Sequence, residues 1–532
     1  MSALPVHRWP AGFALLATLG LAGVALAALL AAVPASAPVR LFDPYTVRIL
    51  GFTAFQAVLS TLLSLAFALP VARALARRTA FPGRGLLLGL FGIPLVLPAI
   101  VAVVGIAAVW GRNGMASALL EALGLEGLSP LYGLSGILIA HVFFNMPLAV
   151  RLLLPAWSAI PGETWRLSAQ LGMGSGALFR IIEWPRLSAV LPGIAALIFL
   201  LCFTSFTVVL TLGGGPAATT LEVAIYQALR LDFDVARAVL LALMQVAICA
   251  AIALLLAASG RNAASEAAAG IAAQRPDAAR PGARIFDAGS ITIAALWVLL
   301  PLGAVVAAGL SGPLLSVLGE REVWLATLRS LLVGLGAGAV ALTLGTALAW
   351  SARDIAVRRG RVRRADRLEL AGSLNLVVSP TVFGAGLFVL LLPLGQVFSF
   401  ALPIAALVNG VIAVPYVLRL VGPALRRTAE HHDRLCAGLG IGGMDRLRLV
   451  EWPAARRGIA LAVALAAALG AGDLTVIALF GNQDSITLPL LLYRALGAYR
   501  TQEAAVLALL LVGLCLALFL VIERTVGGRT RT

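Results

Sequence analysis

Few side chains in this 532-residue sequence stand in patterns that could carry covalent chemistry. His431 and His432 adjoin each other in an arginine-rich stretch, but no Cys or acidic partner follows at ligand spacing, so they read as a solvated face. Cys202, Cys249, Cys436 and Cys515 are widely spaced and form no CxxC pair, which gives neither a disulfide framework nor a metal site. Gly438-Leu-Gly440-Ile-Gly442-Gly443 fits G-x-G-x-x-G by letter. A dinucleotide fingerprint needs a preceding strand in a βαβ unit, however, and a basic helix precedes this one. Gly213–Gly215 lacks the G-K-[ST] ending of a phosphate loop. The sequence therefore reads as a non-enzyme without its own ATPase site. Three polar side chains lie inside apolar runs: His141 and Asn145, four residues apart and so on one helix face, and Asp473, just after Gly470-Ala-Gly472. Such groups are costly in lipid and face a bundle interior. His141 and Asn145 fit helix packing and pathway lining equally; Asp473 reads as facing a polar cavity. These three are the pathway candidates.

The elements that must position these residues are membrane helices. The chain is 61% hydrophobic and 12% charged, with a mean hydropathy of +1.00. A water-facing domain carries about twice that charged fraction. Apolar runs of about 20 residues, enough to cross a bilayer core of about 30 Å, recur throughout. This excludes a soluble enzyme, and unbroken runs exclude a β-barrel, whose strands alternate over about 10 residues. The fold class is an all-α polytopic membrane protein of about twelve transmembrane helices. They are expected near 11–33, 50–74, 87–110, 134–157, 188–211, 236–258, 287–310, 326–350, 370–394, 401–423, 457–480 and 502–523. Ala11 to Val33 is too long for a signal-peptide core and reads as a retained first helix.

The net charge is +16, and since lysine is absent all 40 basic residues are arginine. They gather after helices two, four, six, eight and ten and in the tail, whereas the alternate loops carry little or mixed charge. Arginine kept on the cytoplasmic side explains this without nucleic acid and puts both termini in the cytoplasm. The Ala-, Gly- and Arg-rich stretch 260–284 reads as a flexible cytoplasmic linker. It divides the chain into halves 1–259 and 285–532, each of six helices.

A repeat joins these halves. Arg166-Leu-Ser-Ala-Gln-Leu-Gly172 leads to Phe179-Arg-Ile-Ile-Glu183-Trp-Pro185, and Arg434-Leu-Cys-Ala-Gly-Leu-Gly440 leads to Leu447-Arg-Leu-Val-Glu451-Trp-Pro453. The offset is constant, carrying Gly172 to Gly440, Arg180 to Arg448 and Glu183 to Glu451. Pro147, Arg151 and Pro155 map in the same register to Pro415, Arg419 and Pro423; Leu221 and Tyr226 match Leu488 and Tyr493 one position out of step. Both copies follow the fourth helix of their half, so the repeat is parallel rather than inverted. Each reads as helix, glycine turn, short surface helix, then Trp-Pro opening the next span.

These loops, near 163–186 and 430–457, resemble the cytoplasmic loop of binding-protein-dependent ABC importer permeases. That signature runs Glu-Ala-Ala, three residues, Gly, nine residues, Ile, one residue, Leu-Pro. Gly172 and Gly440 match its glycine, Ile182 and Val450 its aliphatic position, and Pro185 and Pro453 its proline. Trp184 and Trp452 replace its Leu, Arg166 and Arg434 its opening Glu, and Leu167 and Leu435 its first Ala, alike in both halves. Further blocks are similar to the fused, double-length permeases of thiamine importers. They include His141-Val-Phe-Phe-Asn145-Met-Pro147, Gln170-Leu-Gly-Met173, Leu212-Gly-Gly-Gly-Pro216, Ala224-Ile-Tyr-Gln-Ala228 and Ala478-Leu-Phe-Gly-Asn482.

The resemblance implies a type I ABC importer permease fold in the bacterial inner membrane, carrying thiamine and its phosphates from a periplasmic thiamine-binding protein. It implies two copies of an ABC ATPase docked on Gly172–Arg180 and Gly440–Arg448, with ATP and Mg on that partner, membrane lipid around the chain, and no cofactor or nucleic acid on it. The coupling residues it points to are Gly172, Met173, Leu178, Arg180, Glu183 and Pro185, and Gly440, Ile441, Leu447, Arg448, Glu451 and Pro453. Two other readings stay open: a fused permease for ferric iron or another small solute, and a gradient-driven transporter with Asp473 as its ion site.

Overall fold

The computed structural model describes residues 9–32, 43–112, 114–124, 131–258, 275–373, 378–395 and 397–527. Residues 260–274, the greater part of the expected linker, lie outside the described residues. Every regular element among the described residues is helical. The first half supplies α1 (Trp9–Ala31), α2 (Pro44–Arg77), α3 (Ala99–Trp110), α4 (Leu134–Ser158), α5 (Trp184–Phe203) and α6 (Val235–Ala258). The second supplies α7 (Pro281–Ser311), α8 (Arg321–Arg353), α9 (Pro380–Leu391), α10 (Ala401–Gly438), α11 (Trp452–Ala471) and α12 (Thr501–Gly527).

Eleven stretches among the described residues are long and apolar enough to cross a membrane, and α9 is a shorter apolar helix. At 1.5 Å per residue the 12-residue α3 and α9 each reach only about 18 Å. The expected spans 87–110 and 370–394 are therefore broken. Pro94 sits in the turn Ile93–Leu95 and Pro98 precedes α3, and each removes a backbone donor. On the other side Ser379 caps α9, its hydroxyl accepting from the Val382 N–H at 3.2 Å, with Pro380 as first residue. The spans expected at 188–211 and 457–480 are also interrupted: α5 stops at Phe203 before a short helix Thr207–Leu212, and α11 stops at Ala471 before Thr475–Phe480.

The span expected at 401–423 instead continues to Gly438. Its counterpart α4 ends at Ser158, and Pro161 starts a separate helix, Gly162–Gln170. The repeat register aligns Pro161 with Ala429 in the second half, and alanine lets the helix run through. His431, His432 and Arg434 therefore stand on a helix rather than in a loop.

The first helix of each half packs mainly on the other half. α1 lies against α8 and α9, and α7 against α2 and α3, the equivalent pairs. Glycine makes these crossings close: a Cβ on Gly105 would meet the Pro301 backbone, and one on Gly386 the Ala25 backbone. The last residues of the expected linker are packed, with Arg275 and Asp277 buried, and α7 already begins at Pro281.

Candidate functional site

At the arginine-rich end of the helices, the two repeated loops are built the same way. In the first, helix Gly162–Gln170 ends at Gly172, whose φ of +63° is left-handed. The Gly172 N–H donates to Ala169 O at 3.1 Å and the Met173 N–H to Ser168 O at 3.1 Å. In the second, α10 ends at Gly440 with φ +66°; its N–H donates to Ala437 O at 3.4 Å and that of Ile441 to Cys436 O at 2.9 Å. This crossed pair of bonds satisfies the last carbonyls of a helix and needs a residue that accepts positive φ. A one-turn helix follows in each, Ser175–Leu178 and Gly443–Arg446.

A widened turn then leads into the next span. Residues Phe179–Glu183 and Leu447–Glu451 are π-helical, with the Trp184 N–H reaching back to Phe179 O and the Trp452 N–H to Leu447 O. Pro185 and Pro453 suit this widened turn, since neither has an N–H to donate and the ring would crowd the carbonyl four residues back in a regular helix. Glu183 and Glu451 are the last residues of these turns.

Glu183 and Glu451, expected among the coupling residues of these loops, are both buried. The Glu183 carboxylate accepts from Arg73 Nε at 2.9 Å and Nη2 at 3.1 Å, Trp157 Nε1 at 2.8 Å and Arg275 Nη2 at 2.6 Å. Glu451 accepts from Arg353 Nη1 at 2.5 Å and Arg446 Nε at 2.8 Å. Arg73 lies near the end of α2 and Arg353 near that of α8, the second helix of each half. Each loop is thereby locked to the helix bundle by a charge-assisted, multiply bonded carboxylate. The arginines gave no signal in the sequence, being two among 40 basic residues.

With the glutamates turned in, apolar side chains face out. Leu167, Leu171 and Ile181 are each more than half exposed, and so are their repeat equivalents Leu435, Leu439 and Leu449. Arg166, Arg180, Arg434 and Arg448 are exposed around them, as are Pro185 and Pro453. Met173, Ile441 and Leu447 are half-buried, and Leu178 is fully buried, anchoring its short helix. The outward leucines were legible in the repeat itself, since both copies keep them.

The pathway candidates separate. His141 Nδ1 lies 2.8 Å from Ser60 Oγ, and Asn145 donates to Cys202 Sγ at 3.3 Å, while Gln56 donates to Cys202 O at 2.9 Å. This buried polar cluster ties α2, α4 and α5 together inside one half. Asp473 accepts from the N–H groups of Thr475 at 2.9 Å and Val476 at 3.1 Å and from Asn409 Nδ2 at 3.0 Å, capping the short helix after the break in the fifth span. The three do not meet. A polar cavity of about 650 Å³ opens elsewhere, lined by Arg321, Glu322, Arg329, Gln483, Asp484 and Arg494 among others.

No family model matches the chain. Over 488 residues it is 48% identical to the thiamine transport system permease protein ThiP of Brucella abortus, covering 92% of this chain and 89% of that one. It is 44% identical over 490 residues to the Escherichia coli protein of the same name, covering 92% and 91%. To that of Haemophilus influenzae it is 37% identical over 481 residues, covering 90% and 88%.

Proposed function

The chain belongs to the thiamine transport system permease family, and from that premise we propose how its two halves work. It is the permease of a thiamine ABC importer, a multi-pass inner-membrane transport subunit rather than an enzyme. Two copies of a separate ATPase, which hold the ATP and magnesium, dock one on each repeated loop. The arginine-rich end and both termini face the cytoplasm. A periplasmic binding protein delivers thiamine, free or phosphorylated, to the opposite end.

The observation that carries this reading is the twinned loop: a left-handed glycine turn, an inward glutamate and an outward leucine face, each present in both halves in one register. Apolar knobs ringed by arginine suit a groove with an apolar floor and an acidic rim. A push on such a loop passes to α5 or α11, because the loop runs straight into that helix through its π turn. The buried glutamate carries the same push to α2 or α8. With no loose joint between loop and span, closing the motor swings each half as a body. The substrate shifts this balance only through a difference in affinity between the two states.

The test is reconstitution in proteoliposomes with the candidate ATPase. ATP hydrolysis stimulated by thiamine-loaded binding protein, with uptake, is the expected result. Stimulation only by a differently loaded receptor would keep the mechanism and discard the substrate. A chain that never assembles with an ATPase, and imports under an ion gradient alone, would overturn the reading.

A further inference from the structure

The two loops are alike in shape but differ in what completes their charge networks. In the second half the chain of ion pairs closes on itself. Glu451 pairs with Arg446 and Arg353, Arg446 with Asp433, Asp433 with Arg358 at 3.0 Å, and Arg358 with Asp354, which returns to Arg353 at 2.7 Å. Every member lies between Arg353 and Glu451. In the first half the network runs outward. Glu183 takes Arg275, Arg275 pairs with Asp277 at 3.2 Å, and Asp277 with Arg77 at 3.2 Å; Arg77 then reaches Asp287 at 2.8 Å, where Arg78 joins at 2.9 Å. Asp287 lies in α7, the first helix of the second half.

The segment carrying Arg275 and Asp277 is seated on the first loop by more than these pairs. Ser175 Oγ donates to Asp277 Oδ2 at 3.1 Å, the Arg275 guanidinium lies 4.5 Å from the Trp165 ring centroid, and Arg78 Nη1 donates to Ala278 O at 2.8 Å. Arg275 and Asp277 are both buried, so their charges act on each other with little screening. Arg446, which follows the glycine turn of its own loop, fills in the second half the place that Arg275 fills in the first.

We propose that Arg275 and Asp277 are positioning residues that latch the first ATPase-docking loop to α7, the helix that the second half lays across α2 and α3, so that this loop drives a helix of each half while the second loop is tied only to helices of its own. The motor's two strokes are then mechanically unequal: the first loop is tied to α2, α5 and α7, the second to α8, α10 and α11. The residues act through Glu183 and α7 and touch neither nucleotide nor substrate. This inference rests on the importer reading above.

The experiment measures thiamine imported per ATP hydrolysed in proteoliposomes containing the full transporter. Arg275→Gln and Asp277→Asn are expected to lower that ratio by about threefold or more, within the range for a broken coupling element, with Arg275→Lys recovering part of it. The double variant Ser175→Cys, Asp277→Cys provides a covalent substitute for the latch. Reduced, it should couple poorly; oxidised to a disulfide, it should recover. Three results would overturn the proposal: folded single variants that couple as the unmodified protein does, a disulfide that does not form, or one that forms without improving the ratio. Disulfide formation is read in detergent without substrate. If the unmodified transporter shows no thiamine-dependent hydrolysis, the importer reading has failed, whereas the latch geometry is judged separately by the cross-link.

Discussion

Gly172 and Gly440 offer the cleanest perturbation, because backbone conformation alone sets the cost of replacing them. Their φ angles are +63° and +66°, and a Cβ built on either meets nothing within 4 Å. Steric overlap with neighbours therefore contributes nothing. A left-handed conformation costs an ordinary L-residue about 1–2 kcal/mol, less for Asn and more for a β-branched side chain. Gly172→Ala should thus disfavour the turn by about 1 kcal/mol, and Gly172→Val by about 2 kcal/mol. The turn then gives up its bonds from Gly172 to Ala169 and from Met173 to Ser168, and Leu167 and Leu171 lose their fixed placement. Since about 1.4 kcal/mol is tenfold in an equilibrium, the Val variant leaves the docking geometry populated at about a thirtieth of its former ratio to alternatives. The two loops share no partner, so the double Val variant should be additive at about 4 kcal/mol. The assay is receptor-stimulated ATP hydrolysis and thiamine uptake in proteoliposomes, normalised to inserted protein. Activity should fall in the order Gly, Asn, Ala, Val at either position, with membrane insertion unchanged. Full uptake by the double Val variant would refute the reasoning. So would Asn proving as damaging as Val, since that would make something other than φ the reason for glycine.

Three further outcomes follow from the same geometry. Glu183→Ala strands Arg73, Arg275 and the Trp157 N–H in a buried site; breaking a buried pair this way costs about 3–5 kcal/mol, which thermal unfolding in detergent should register as a large drop. Leu171→Asp together with Leu439→Asp alters only exposed positions, so stability should stay within about 0.5 kcal/mol while co-purification of the ATPase is lost; retained co-purification would remove these leucines from the docking face. Burial alone would raise the Asp277 carboxyl, but the Arg275 and Arg77 guanidiniums and the Ser175 hydroxyl outweigh it and hold the group below its ordinary value. A group lowered in the folded state stabilises fully above its unfolded value of about 4 and loses that contribution as pH falls through the folded one. The stability gap between the unmodified protein and Asp277→Asn should therefore be flat from pH 8 to 5 and close only below about pH 4; closure between pH 7 and 5 would contradict the pairing.

Much of this protein is written locally, and the sequence alone conveys it. Apolar runs gave the helical membrane class, because lipid leaves a crossing chain no other way to satisfy its backbone. The loop repeat marked two segments that fold alike, and its glycines specified the left-handed turn, since that turn depends on residues within one helical turn of each other. Pro161 against Ala429 even explains why one fourth helix breaks and the other runs on. What the sequence could not convey was partnership across distance. Nothing in the order of residues says that Glu183 turns inward onto Arg73, that Asp473 spends both carboxylate oxygens on capping a helix, or that α1 and α7 cross to the opposite halves. The stretch 275–284 read as flexible linker because its composition is that of a linker. Arg275 and Asp277 are instead buried, since the folded bundle brings Arg77 to them from the end of α2 and Ser175 and Glu183 from the first loop. Each guanidinium or carboxylate there is tolerable only because a charge from elsewhere in the chain arrives beside it, and that arrival is decided by helix packing.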